Sequence, residues 1–289
     1  MRYDASLDAV LRPQLGDPVD PGLFAGNRDA LCAELARLAY YSFKPGQRAR
    51  LEAALGALGL DRVHLLEDRH SDTQVFVALN AARTAHVAFR GTQPDSWRDI
   101  RTDLRFLRLP WAGQAWVHRG FRGAYDSRSA NCAASSLRAE LRGLIAGLAP
   151  SGIVTTGHSL GGALATLFAS DHPAAELVTF GSPLVGNATF AAMFEGRAVR
   201  RYRQCADLVS RVPFEWIGYR PVPGLRYIDR TGAITHREPE AAAIKHDIAS
   251  ARQVYRRDYG SIPGTAPVRD AADHAPINYV SALLGIREG

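Results

Sequence analysis

The sequence predicts an α/β protein whose central sheet is largely parallel, and three observations carry that expectation. Apolar residues recur at helical spacing in four segments, and short β-branched or alternating runs are interleaved with them. Two of those runs, Ile153-Val154-Thr155-Thr156 and Leu177-Val178-Thr179-Phe180, carry no charge and no alternation, as strands covered on both faces require. In chain order the spacing predicts helices at Arg28 to Tyr41, Gln47 to Leu58, Ser127 to Leu148 and Leu160 to Asp171. Strands are expected at Val63 to Leu66, Gln74 to Leu79, His86 to Arg90, Ile153 to Thr156, Leu177 to Phe180 and Val199 to Tyr202. Gly and Pro are spread as turn punctuation, and no repeat or low-complexity tract divides the chain, so a single domain over residues 1–289 is expected.

Composition excludes several classes. Hydrophobic residues make up 46% and charged residues 22% of the 289, which places the chain with globular proteins and away from disordered, collagenous or coiled-coil sequences. No apolar run approaches the ~18 to 20 residues that a membrane-spanning helix needs, so no transmembrane segment is expected. The formal charge is +6, and all but two of the 35 basic residues are arginine, the exceptions being Lys44 and Lys245. The arginines are interleaved with carboxylates, as in Arg98-Asp99 and Arg101-Thr102-Asp103, so no one-sided block would track a nucleic acid, which is not expected as a partner. Cys32, Cys132 and Cys205 are odd in number and widely spaced, which suits buried thiols better than a zinc site or a disulfide framework. The opening MRYDASLDAVLRPQLGD lacks the apolar centre of a secretory signal, so a cytoplasmic protein, or one exported by another route, is expected.

The chemistry is concentrated in IVTTGHSLGGALATL, residues 153–167. Here Gly157-His158-Ser159-Leu160-Gly161 lies between an expected strand and an expected helix. A serine on that sharp turn projects its Oγ beyond the strand end, and the glycines two residues to either side avoid collisions with neighbouring backbone. The helix that follows offers unpaired N–H groups at the same place, so the Leu160 N–H is a candidate donor to an oxyanion. A serine hydroxyl needs a base and a carboxylate, following in the order Ser, Asp or Glu, His. Four histidines lie downstream of Ser159. His172 closes the serine's own helix, His236 sits beside the Gly232 turn, and His246 heads a helix expected at Lys245 to Tyr255. His274 lies in a Pro-flanked loop, Asp270 to Pro276, and is favoured as the base over His246. Asp207, just past the strand that ends near Tyr202, is favoured as the acid over its rival Asp229. No metal and no organic cofactor is implied by this chemistry.

Taken together, the segments Phe89-Arg90-Gly91-Thr92, Trp97 with Asp103-Leu104, His118-Arg119-Gly120-Phe121, Gly157 to Ala163, Phe180-Gly181-Ser182-Pro183 with Gly186-Asn187, Asp207 with Val209 and Pro213, and Asp273-His274 with Tyr279 resemble the class 3 lipase family of α/β-hydrolases. The resemblance runs from about Ala33 onward. It implies that Ser159, Asp207 and His274 form a catalytic triad and that Thr92 supplies the second oxyanion donor. It also implies a lid, here at Pro94 to Leu107, where Trp97, Ile100, Leu104 and Leu107 fall at helical spacing. Trp111 and Trp116 follow, clustering with Trp97 beside the expected acyl site.

The implied function is hydrolysis of carboxylic esters, acylglycerols first, through an acyl-enzyme, with phospholipids or aromatic and short-chain esters as alternatives and transient contact with a lipid surface. A hydrolase-like scaffold that binds a lipid or partner without turnover is the rival reading. An imidazole base predicts activity that falls below about pH 6.5.

Overall fold

The computed structural model describes residues 3–68, 73–91, 107–127, 135–237 and 239–286. Its main sheet has eight strands: β1 (Leu60–Asp68), β2 (Thr73–Asn80), β3 (Thr84–Phe89), β6 (Gly152–His158), β7 (Glu176–Phe180), β8 (Val199–Gln204), β9 (Leu225–Ile228) and β10 (Ile234–Thr235), adjacent in that order. The run from β3 to β9 is parallel, while the pairs at either edge, β1–β2, β2–β3 and β9–β10, are antiparallel. Two further short strands, β4 (Arg108–Pro110) and β5 (Trp116–His118), pair apart from it.

Side chains alternate across the sheet with the period of two that a strand imposes. Val75, Val77, Val87 and Phe89 join one core with α5 (Leu137–Leu148) and α6 (Leu160–Asp171), whereas Phe76, Ala78 and Ala88 join another with α2 (Arg28–Leu38) and α3 (Pro45–Ala57). Val154, Val178, Phe180 and Tyr202 pack against α2 and the helix α10 (Pro276–Leu283). Helices therefore cover both faces, and α6, buried at every position from Gly161 to Ser170, runs through the core, as that uncharged, Ala/Leu-rich stretch demands.

The remaining helices are α1 (Leu7–Leu11), α4 (Arg119–Tyr125), α7 (Ala188–Ala192), α8 (Ala241–Tyr259) and α9 (Arg269–Ala272). The helix expected from Ser127 to Leu148 is shorter where the structure describes it: Ser127, Ser135 and Ser136 are not helical, and residues 128–134 lie outside the described residues. The described helix begins at Leu137, where the Ser136 side chain accepts the Ala139 N–H at 3.2 Å and caps it. Leu137, Leu141 and Ile145, four residues apart, form its buried stripe.

Candidate active site

The three side chains singled out in the sequence meet at the carboxyl end of the parallel strands. Ser159 follows β6 directly, with φ 56° and ψ −129°, a left-handed geometry unusual for a residue with a side chain. The turn closes because Gly157 and Gly161 have no Cβ. One at Gly157 would stand 2.3 Å from the Gly161 carbonyl, and one at Gly161 would stand 2.2 Å from the Phe89 carbonyl oxygen of β3. The Ser159 N–H donates to the Phe180 carbonyl of β7 at 3.0 Å, which fixes the turn against the next strand.

His274, between α9 and α10, places Nε2 2.9 Å from Ser159 Oγ, and its Nδ1 lies 3.0 and 3.1 Å from the two Asp207 oxygens. A carboxylate only accepts, so Nδ1 carries the proton and Nε2 is left to accept from the serine hydroxyl. Asp207, in the turn after β8, is wholly buried. Its Oδ1 also receives the Val209 N–H at 2.9 Å, and its Oδ2 receives the Tyr279 hydroxyl at 2.6 Å. Burial and the adjacent Asp207 charge push the Tyr279 phenol well above its ordinary value, which keeps it a neutral donor. Tyr279 stood in the sequence without a role. The usable signal was its place on a helix one turn after the base, but nothing local ties residue 279 to residue 207.

Leu160 opens α6, so its N–H has no partner within the helix. Thr92 lies outside the described residues, as do Trp97, Cys132 and the expected lid segment apart from Leu107, which is 51% exposed. The strand leading to Thr92 is held by a buried pair, Arg90 Nη1 donating to Gln74 Oε1 at 2.6 Å, and Gly91 is buried at its exit. The other candidates lie elsewhere. Asp229 accepts the Thr231 and Ala233 N–H groups and shapes the β9–β10 turn. His246 and His236 are exposed, and His172 Nδ1 lies 3.0 Å from the Phe168 carbonyl at the end of α6. Cys32 and Cys205 are buried free thiols, raised in pKa first by burial, Cys32 to about 12. Trp111 packs against Tyr125 and Phe190, and Trp116 against Tyr219.

A nucleophile turn, an imidazole and a buried carboxylate thus meet in this order on the sheet, and residues 86–216 match the family described as Lipase (class 3). Over that span the chain is similar to the class 3 lipase family. It is 30% identical over 184 residues to phospholipase A1-II 5 of Oryza sativa subsp. japonica, covering 53% of this chain and 40% of that relative. It is 31% identical over 188 residues to secreted mono- and diacylglycerol lipase A of Penicillium camembertii, covering 62% and 59% respectively. The chain thus spans less than two thirds of either relative. Among solved structures, Rhizomucor miehei triacylglyceride lipase superposes with a TM-score of 0.60 at 22% identity, over 85% of this chain and 90% of that one. The lipase from Rhizopus microsporus var. chinensis gives 0.57 at 22%, over 95% and 94%. Those likenesses establish the fold, the α/β-hydrolase architecture of class 3 lipases. No helix among the described residues is long and apolar enough to cross a membrane, and among them no His, Cys, Asp or Glu group is arranged to hold a metal ion.

Proposed function

We propose that this chain is a class 3 lipase that hydrolyses carboxylic esters, acylglycerols in the first instance, through an acyl-enzyme on Ser159. The observation that carries the reading is the unbroken line from Ser159 Oγ to His274 Nε2 at 2.9 Å and from His274 Nδ1 to Asp207 at 3.0 Å. As Ser159 Oγ attacks the ester carbonyl, its proton passes to His274 Nε2, and Asp207 stabilises the resulting imidazolium. The carbonyl oxygen, now anionic, is held by the Leu160 N–H and by Thr92, each such donor being worth roughly 10²–10³ in rate. His274 returns the proton to the departing alkoxide. Water, activated by the same imidazole, then releases the fatty acid.

The lipid character of the substrate is supported by an exposed aromatic turn. Phe214 and Trp216 stack with centroids 5.9 Å apart, and Trp216 is 82% exposed. Two arginines are fastened to the same turn through backbone carbonyls: Arg108 to that of Ile217, and Arg220 to that of Glu215 at 2.7 Å. Apolar rings beside cationic groups suit transient contact with an anionic lipid surface. A phospholipid substrate is the second reading, favoured by the rice relative's name. Fluorophosphonate labelling tests the enzyme: the native chain is labelled and Ser159→Ala is not, whereas an unlabelled native chain refutes the proposal. Turnover of triolein against phosphatidylcholine separates the two substrate classes.

A further inference from the structure

The residue before the nucleophile carries chemistry that the triad does not use. His158 is buried, and its Nε2 lies 2.7 Å from the main-chain carbonyl oxygen of His274. A carbonyl only accepts, so Nε2 bears the proton and Nδ1 is an acceptor. The group opposite Nδ1 is the hydroxyl of Tyr40, buried just beyond the end of α2, which donates to it at 2.8 Å. The His158 and His274 rings lie 4.5 Å apart. Burial first, and then the closeness of a second imidazole that can take up charge, His274, hold the His158 imidazole well below its ordinary value, so it stays neutral with one donor and one acceptor.

The same hydroxyl touches a third element. A Cβ on Gly91, at the exit of β3, would stand 2.1 Å from the Tyr40 oxygen and 2.7 Å from the His158 carbonyl oxygen. Glycine there lets the strand exit close on both. Tyr40 and His158 therefore join the β3 exit, the serine turn and the backbone of the base in one buried line. The His274 carbonyl stands between two short helices, just ahead of Pro276.

We infer that Tyr40 and His158 are positioning residues for the histidine base: Tyr40 sets the tautomer of His158, and His158 holds the peptide of residue 274 so that Nε2 stays on Ser159 Oγ. Neither touches the reacting atoms. Their effect passes through the placement of the imidazole, where an error near 1 Å costs about 10² in rate. The inference rests on the ester-hydrolase reading.

The test compares native chain, His158→Phe, His158→Gln and Tyr40→Phe, measuring kcat and KM on a soluble nitrophenyl ester together with thermal unfolding. His158→Phe is expected to lower kcat about 10²-fold with KM within about twofold. His158→Gln, which keeps an amide N–H for the carbonyl, regains at least a tenth of native kcat, and Tyr40→Phe loses about tenfold. Should His158→Phe fail to fold, Tyr40→Phe, which removes one oxygen, decides. Native kcat in Tyr40→Phe, a loss confined to KM, or no rescue by glutamine overturns the inference. Failure of fluorophosphonate to label the native chain instead overturns the hydrolase reading beneath it.

Discussion

Asp207 is the most demanding residue of the site, a buried carboxylate whose charge is met by an imidazole N–H, a phenol and a backbone N–H. Hydrogen bonds to a charged group are typically worth about 1.5–3 kcal/mol, and a buried charge deprived of one becomes a source of instability. Tyr279→Phe is therefore expected to lower unfolding free energy by about 2 kcal/mol in urea titration and kcat by about tenfold, KM being unchanged. Native stability in that variant would show that the phenol leaves Asp207 no better satisfied than solvent would. The serine, aspartate and histidine were legible because chemistry dictates both their types and their order along the chain. Tyr40 and Tyr279 were not. Each meets its partner across a long gap, 118 residues from Tyr40 to His158 and 72 from Asp207 to Tyr279, and an aromatic in an apolar stretch carries no local mark of a hydrogen bond.

At the level of single elements, period and punctuation located the long pieces well and the short ones poorly. The β6–turn–α6 unit was readable because an uncharged strand, two glycines and an Ala/Leu helix all agree. β4 and β5, three residues each, are too short for any periodicity to register. Residues 127–136 continue an Ala/Arg/Ser composition that does not reveal the capping serine until its hydrogen bond is seen. Strand β3 carries a different consequence. His86 is buried on the face it shares with Ala88, and burial, aided by Arg28, lowers its pKa to about 4. The unfolded chain takes up this proton as pH falls through 6.5, while the folded chain refuses it until about 4. Stability is thus full above pH 6.5 and declines between 6.5 and 4, by about 3 kcal/mol for this group. Urea unfolding at pH 7 and 4.5 should show a smaller acid loss in His86→Leu than in the native chain; equal losses would remove His86 as the cause.

For the molecule as a whole, the parallel centre brings Ser159 and Asp207 to one edge of the sheet, since a ligand site in such a sheet forms beyond the carboxyl ends of its strands. The α/β alternation made that edge foreseeable, but not the exposed turn at Phe214 and Trp216, because isolated aromatics in a loop read equally well as core. Burying such a ring in lipid is worth roughly 1.5–3 kcal/mol. Trp216→Ser is expected to weaken sedimentation with anionic phosphatidylglycerol vesicles by about tenfold, and added salt to weaken the native chain's binding. Vesicle binding that is indifferent to both would place the lipid contact on another face.

The loop of the base is also tied to the far end of the sequence. The Tyr3 hydroxyl donates to Asp273 at 2.8 Å, the Asp4 N–H donates to the Asn278 side chain at 2.7 Å, and the Asn278 amide returns a bond to the Asp4 carbonyl. Asp273 in turn accepts from buried Arg269 and from the Ala206 N–H, one residue before Asp207. As the ribosome extends the chain, Ser159 emerges with no imidazole to activate it. It remains an ordinary alcohol until the stretch around 274 has been made and folded; residues 3 and 4, synthesised well before the serine, are then bonded to that stretch.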